Sequence, residues 1–164
     1  MPIPIALIAA ATLAVATPTP TPKPAPGATV SVASVQPAWR AVRADTIGDL
    51  LFTTQTLNGR VRFVAQGLKN PVPVTTVDFT PDSVRTWTSS AAALAADPAA
   101  KMGDMRGLGL ALTLNVTTTA SGQSAFGFYV GDAVTDQQIA LALTKENVVK
   151  LTTDVNSALD TIGH

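Results

Sequence analysis

Apolar and polar residues alternate in the C-terminal part of the chain. Leucine or valine occupies every second position from residue 108 to residue 116, with small or polar residues between them. The same alternation recurs at residues 126–130 and 139–143. A period of two is typical of half-buried β-strands. With turn-forming residues at 120–123, the pattern predicts a hairpin followed by a third strand.

A helix is predicted directly after the third strand. Thr144 is suited to cap its N-terminus, and Glu146 lies in the first turn, where a carboxylate meets the positive end of the helix dipole. Gly163 marks the predicted end of the helix. Between these limits apolar residues recur at helical spacing: Val148, Leu151, Val155, Leu159 and Ile162.

The first half of the domain shows a similar, weaker pattern of three strands. They are predicted at residues 47–54, 61–65 and 74–79. Asn58 and Gly59 accept the positive φ angles of a tight type I′ turn, which predicts a hairpin between the first two strands. Prolines at positions 71 and 73 place the third strand at a sheet edge, because proline cannot donate to a central ladder.

A second helix is predicted after the third strand of this half. Thr80 is followed by Pro81, which is favoured at the first position of a helix. Residues Asp97 and Pro98 stop the helix. Its apolar positions share one face: Val84, Trp87, Ala91 and Leu94.

The two halves align when Thr80 is superimposed on Thr144, an offset of 64 residues (144 minus 80). We therefore predict an α+β fold with an antiparallel sheet of about six strands and two helices, in a strand-strand-strand-helix order repeated twice. The helices are expected to cover one face of the sheet, or each its own half. Duplication and convergence both explain the likeness. Such two-repeat architectures occur in single-stranded nucleic-acid binders of the PUR and Whirly kind, but the chain carries no motif of either family.

The N-terminal segment has a composition of its own. Between Ile3 and Ala16 the chain is apolar over about 14 residues, which suits a signal peptide and falls short of the roughly 20 residues that span a membrane. Ala14-Val15-Ala16 fits a small-x-small cleavage site, although no Lys or Arg precedes the run. A cleaved signal peptide, a retained apolar anchor and a buried terminal segment remain alternatives.

Three segments are predicted along the chain. Residues 1–16 are a signal peptide or apolar anchor, residues 17–38 a Pro-rich linker, and residues 39–164 a single α+β domain. The Thr-Pro alternation in the first ten linker residues, 17–26, favours extended polyproline II structure, and these ten residues would hold the domain about 30 Å from the apolar segment.

Composition excludes several kinds of chemistry. The chain has no Cys, which rules out disulfides, thiolate metal sites and Cys nucleophiles. Its single His is the terminal His164, so a His-based triad is not expected. With 11 basic and 11 acidic residues the net charge is zero, which disfavours nucleic-acid binding. We expect no enzymatic activity, no metal and no cofactor; Asp132 and Asp136 fit a turn better than a cation site.

The best candidate interface combines an aromatic residue with four arginines. These residues are Trp39, Arg40, Arg43, Arg60 and Arg62. Trp and Arg are enriched where proteins bind one another, so the cluster indicates a docking surface. The alternative is a solvated outer face on which Trp39 caps the core.

Together these features predict an exported, non-enzymatic structural or accessory subunit. It would act through protein-protein contacts, within a membrane complex on the outer, periplasmic face of a membrane, with membrane contact through the run from Ile3 to Ala16. The alternative is a soluble periplasmic or secreted ligand-binding module, which would need a pocket with convergent polar groups.

Overall fold

The computed structural model describes residues 37–163. The predicted signal peptide or anchor, and the predicted linker up to residue 36, lie outside the described residues, as does His164. The described part contains eight strands and two helices. In chain order they are β1 (Arg40–Ile47), β2 (Leu50–Leu57), β3 (Arg60–Gly67), β4 (Pro73–Thr75), α1 (Pro81–Ala96), β5 (Met105–Leu108), β6 (Leu112–Thr118), β7 (Ser124–Gly131), β8 (Gln138–Leu143) and α2 (Lys145–Ile162).

The strands form two antiparallel sheets. Sheet A has the order β1-β2-β3-β4, and sheet B has the order β5-β6-β7-β8. The predicted α+β class is confirmed. The predicted strand number is too low and the single sheet is wrong, because each half contributes a four-stranded sheet of its own.

Two tight turns account for the additional strands. Residues 47–54 pass from β1 into β2 through Gly48, whose φ is +59°. Residues 108–116 likewise pass from β5 into β6 through Gly109, whose φ is +60°. Leu108 pairs with Leu112 across this second turn, so the even spacing of leucines continues through it. Leu110, predicted to face inward, lies in the turn and is 96% exposed.

The local signals around the helices are confirmed. Thr80 and Thr144 have extended backbones, and each hydroxyl oxygen accepts a hydrogen bond from the backbone N–H three residues later, at 3.3 Å. The helices end at the predicted Asp97 and Gly163. These junctions form because each cap satisfies a backbone donor that the first helical turn leaves unpaired.

The turn and edge predictions of the first half are also confirmed. Asn58 and Gly59 have φ angles of +49° and +73°, and they join β2 to β3 without a gap in register. Strand β4, which begins at Pro73, lies at the edge of sheet A.

One hydrophobic core joins both sheets and both helices. Phe52 of sheet A stacks on Phe63 with ring centroids 5.0 Å apart. The Phe52 ring also meets Phe128 of sheet B at 6.0 Å in an edge-on arrangement. The inner faces of the two sheets therefore meet at a shared aromatic centre, a geometry that stabilises ring pairs beyond their buried area.

Each helix packs against the first strand of the other half. Helix α1 lies on β5, where Trp87 Nε1 donates to the carbonyl oxygen of Arg106 at 3.3 Å, and α2 lies on β1. The helices also contact each other, with Thr88 Oγ1 donating to Asn156 Oδ1 at 2.8 Å. The expectation that the helices cover one face of a single sheet, or each its own half, is wrong. Neither half completes its own core.

The connection between β7 and β8 protects the outer edge of β4. The N–H of Ala133 donates to the carbonyl oxygen of Thr75 at 2.7 Å, and the N–H of Thr75 donates to Asp132 Oδ2 at 3.1 Å. This connection therefore ties sheet B to sheet A. Of the two helices in the described range, neither is long and apolar enough to cross a membrane.

Candidate interaction surface on sheet A

The face of sheet A that points away from the core carries the predicted aromatic-arginine contact. We call this side the outer face of sheet A. Its positions follow from the register of β2 and β3, in which residues opposite each other point to the same side. The central pairs are Gln55 with Arg62, Thr53 with Val64, and Leu51 with Gln66. All six residues are half-buried, whereas Phe52, Thr54 and Phe63 between them are buried.

Trp39 and Arg62 meet on this face. The guanidinium carbon of Arg62 lies 4.4 Å from the centroid of the Trp39 ring, and Arg62 Nε donates to Gln55 Oε1 at 2.8 Å. Burial lowers the pKa of Arg62 from its ordinary value, but a guanidinium stays charged in proteins. The contact holds both side chains in place, a cation–π arrangement that contributes about 0.5–1 kcal/mol at exposed sites.

Arg60 lies at the end of the same face, at the start of β3. Its Nε donates to Asp78 Oδ2 at 2.8 Å, and another guanidinium nitrogen donates to the Asp78 carbonyl oxygen at 3.1 Å. The hydrogen bond from Arg60 lowers the pKa of the Asp78 carboxyl. Arg60 is therefore paired within the fold and adds little net positive charge to the surface.

Arg43 points to the opposite side of sheet A. An irregularity in β1 between Ala41 and Arg43 shifts the register and turns Arg43 toward α2. There it binds Asp45 and Asp154, the latter at 2.9 Å, and Lys150 joins the same cluster. The hydrogen bond with Asp45 raises the pKa of Arg43. This cluster of two acids and two bases fastens α2 to β1.

Arg40 is placed apart from the Trp39-Arg62 contact. It lies opposite Thr56 at the start of β1, and within residues 37–163 its exposed side chain makes no hydrogen bond. The five predicted interface residues therefore do not form one patch. Trp39 and Arg62 lie together, and Arg60 borders them. The register shift in β1 turns Arg43 away, whereas Arg40 precedes the shift and lies opposite Thr56, the residue after the outward-facing Gln55.

Sequence reasoning missed the polar partners on this face. Gln55 orients Arg62, and Thr53 and Val64 extend the surface beside them. The available signal was the alternation within β2, where Leu50, Phe52 and Thr54 face inward and the residues between them face outward. The predicted strand ends at residue 54, so the prediction leaves Gln55 outside any element and does not place it on the outer face.

Asp132 has a structural role in the connection after β7. Its carboxylate accepts hydrogen bonds from the backbone N–H groups of Val134, Thr135 and Thr75. These bonds lower its pKa from 3.8 to about 2. Asp136 is exposed in the same connection, and the described residues contain no group of three or more acids or His placed to hold a metal ion.

One cleft of the described domain includes Asp132 in its lining. It has a volume of about 500 Å³ and is also bounded by Phe79 and Leu110. The Asp132 carboxylate there is already bonded to three backbone N–H groups, which leaves it little capacity to orient a ligand.

The outer face of sheet B carries the amide of Asn115 beside Gly127 and Tyr129. Asn115 lies opposite Gly127, and its Oδ1 is buried without a hydrogen-bond partner in the described structure. A methyl group at Gly127 would overlap this oxygen and crowd the ring of Tyr129. The glycine therefore provides the space that the Asn115 side chain fills.

No protein-family model matches the chain, and no curated protein is significantly similar to it in sequence.

Proposed function

We propose that this protein is an exported, non-enzymatic accessory subunit that binds a partner protein through the outer face of sheet A. The observation that carries the proposal is the Trp39-Arg62 contact on the outer face of sheet A, opposite the side that packs into the shared core. The inner faces of both sheets are filled by a shared core. The outer face of sheet A instead presents half-buried residues around a fixed aromatic-cationic pair.

The proposal is supported by the preorganisation of Arg62, which is held in one orientation before any partner binds. Trp and Arg are the residue types that most often dominate binding at protein interfaces, where removal of one side chain can cost about 2 kcal/mol or more. Arg62 is held from two sides, by the Trp39 ring and by Gln55 Oε1. Because its rotamer is restricted before binding, a partner would order fewer side chains on docking.

The export and membrane parts of the proposal rest on the sequence. The apolar run from Ile3 to Ala16 and the Thr-Pro segment after it lie outside the described residues. Together they are typical of a secretory signal or anchor followed by a spacer, which supports a subunit on the periplasmic face of a membrane. Intact mass of protein purified from its native cells distinguishes a processed chain from one that keeps residues 1–16.

Site-specific photocrosslinking in native cells tests the docking surface. A photoreactive residue at Thr53, on the outer face, should give a discrete protein adduct, and the Arg62→Glu substitution should abolish it. The matched control carries the same photoreactive residue at Ser89, an exposed position on α1. No adduct at Thr53, or the same adducts from both positions, would contradict the proposed surface.

We also infer that the two halves descend from one duplicated unit. Both have the order of four strands and a helix, and both helices begin at a Thr cap with the same hydrogen bond to the third following N–H. The test is the sequence of more distant relatives, in which the two halves should resemble each other more closely. If the halves show no mutual similarity in any relative, convergence explains their likeness better.

A further inference from the structure

Strand β8 forms one edge of sheet B. It pairs with β7 along its whole length in continuous antiparallel register, from Gly131 opposite Gln138 to Phe126 opposite Leu143. Its sequence, QIALAL, contains no charged residue, no proline and no bulge. Within residues 37–163 no other strand pairs with its second side.

The free backbone groups of β8 belong to alternate residues. The N–H of Asp132 donates to the carbonyl oxygen of Gln137, so residue 137 and every second residue after it bond toward β7. Gln138, Ala140 and Ala142 therefore point their N–H and C=O groups away from the sheet. The open side of β8 is a row of unpaired donors and acceptors, which is a template for another strand.

The other sheet edges in the described chain have protection. Backbone bonds from the connection after β7 cover β4, and β5 has only four residues. Strand β1 is interrupted by its register irregularity and carries the charged Arg43 and Asp45. Charges, bulges and short length are usual means of blocking edge-to-edge pairing, and β8 has none of them. Asn70, in the connection from β3 to β4, lines two small clefts with Gln138 and Ile139 at the start of β8.

The side chains of β8 also suit a neighbouring strand. On the inner face Ile139 and Leu141 are only half-buried, whereas Leu143 is buried. On the outer face Ala140 and Ala142 are exposed and small. A strand laid beside β8 would cover the inner apolar side chains and meet no bulky group on the outer side.

We propose that β8 pairs antiparallel with β8 of a second copy of this chain, so that the two sheets B join into one continuous sheet. The strand is complementary to itself. In the register centred on Leu141, Ile139 lies opposite Leu143 of the second copy and Ala140 lies opposite Ala142 of the second copy. Apolar residues then meet apolar residues on the inner face, and alanines meet alanines on the outer face, as a two-fold interface requires.

The lack of charged residues on β8 favours β8 of a second copy as the strand that pairs with it. A strand without charged residues places no like charges against each other across the two-fold axis. The chain as a whole has zero net charge, so two copies do not repel at long range. In this register five residues of each β8 pair, from Ile139 to Leu143. They bury less than the roughly 1,000 Å² of a stable interface, so the dimer should be concentration-dependent with a micromolar Kd.

Sedimentation velocity on the purified full chain tests the proposal. Between about 1 and 200 µM the wild type should pass from monomer to dimer, and Ala140→Lys should raise the dimer Kd at least about tenfold. The matched control is Ala93→Lys, at an exposed alanine on α1 that belongs to neither sheet. This control should dimerise like the wild type, and far-UV circular dichroism checks that both variants fold.

Hydrogen exchange in the wild-type protein tests, without any substitution, whether β8 pairs with β8 of a second copy. The amides of Ala140 and Ala142 should be protected at high concentration and lose protection on dilution, whereas amides that bond within sheet B should not change. A wild type that is monomeric at all concentrations overturns the proposal. So does a dimer that Ala140→Lys leaves intact, or one that both lysine variants weaken equally.

Discussion

Replacing Trp87 with alanine tests the crossing of the helices between the two halves. Trp87 belongs to α1, which follows sheet A in the chain, yet its indole N–H bonds to the carbonyl oxygen of Arg106 on sheet B. The side chain is only 3% exposed. If the crossing holds the two halves together, the loss of this one side chain should weaken both sheets at once.

The expected magnitude follows from burial and from the hydrogen bond. Truncating a buried Trp to Ala costs about 3–5 kcal/mol, since the cavity is only partly refilled. Trp87→Phe keeps most of the apolar contact but leaves the Arg106 carbonyl without its donor, so it should cost about 1–2 kcal/mol. Domains of this size have about 5–15 kcal/mol of stability, so the phenylalanine variant should fold at 25 °C over that whole range, and the alanine variant wherever the wild type exceeds about 5 kcal/mol.

Urea unfolding with two optical probes measures the effect on each sheet separately. In Trp87→Ala the remaining tryptophan, Trp39, reports on sheet A, and the single tyrosine, Tyr129, reports on sheet B. Both transitions should move to lower urea by the same amount. Ser89→Ala on the exposed side of α1 is the control and should stay within about 0.5 kcal/mol of wild type. A loss below about 1 kcal/mol for Trp87→Ala, or a shift of only one probe, would refute the interdependence of the halves.

Three further outcomes follow from the same structure. Asp132 is held with a pKa of about 2, below its unfolded value of 3.8, so its carboxylate stabilises the fold above about pH 4 and that contribution is lost as the pH falls through 2. Thermal denaturation between these pH values should therefore be less pH-dependent in Asp132→Asn than in wild type, with Asp136→Asn unchanged as the control. Thr80→Ala and Thr144→Ala should each lower the free energy of unfolding by about 1 kcal/mol in urea titrations, and a null effect would mean that the cap bonds contribute nothing. Fragments 37–100 and 101–163, expressed separately, should lack a cooperative transition by circular dichroism, because each lacks the helix that packs on its first strand; a folded fragment would contradict the exchange of helices.

Local sequence signals correctly predicted where both helices begin, where one hairpin turns and which strand lies at a sheet edge. The Thr caps of both helices, the Asn58-Gly59 turn and the edge position of β4 all depend on the conformational preferences of a few adjacent residues. Such preferences act over one turn of chain, and tertiary contacts do not reverse them here. The same holds for the apolar faces of the helices, where Val84, Trp87 and Leu151 are buried as predicted.

The period-two pattern gave a wrong prediction at residues 108–116, because the turn within this segment keeps the spacing of the leucines. Leucines at even spacing continue through the turn at Gly109, so the pattern did not distinguish one long strand from two short ones. Leu110 has the spacing of an inward-facing strand residue, yet it is exposed because the chain reverses direction there. Apolar spacing alone therefore does not indicate burial at a turn.

The candidate surface could be predicted only in part. Trp39 and Arg62 were identified as an aromatic-arginine combination, but their contact depends on the pairing of β2 with β3 and on the approach of the chain before β1. Arg43 shares the same sequence signature and points the other way, because a single irregularity in β1 turns it toward α2. A shift of one residue moves the side chains that follow it to the opposite face of the sheet. The residue types at positions 39–43 do not predict that such a shift occurs there.

The amino-acid sequence alone was enough to predict both helices with their caps, the Asn58-Gly59 turn and the absence of any Cys chemistry. Caps, turns and alternation are short-range preferences, and the absence of Cys is a matter of composition. The division of the strands into two sheets, the packing of each helix on the first strand of the other half, and the lack of a second partner for β8 among residues 37–163 appear only in the folded chain. Those features depend on which apolar faces meet. Because apolar burial is non-directional, many pairings satisfy the same pattern, and the one adopted is selected by the packing of the whole core.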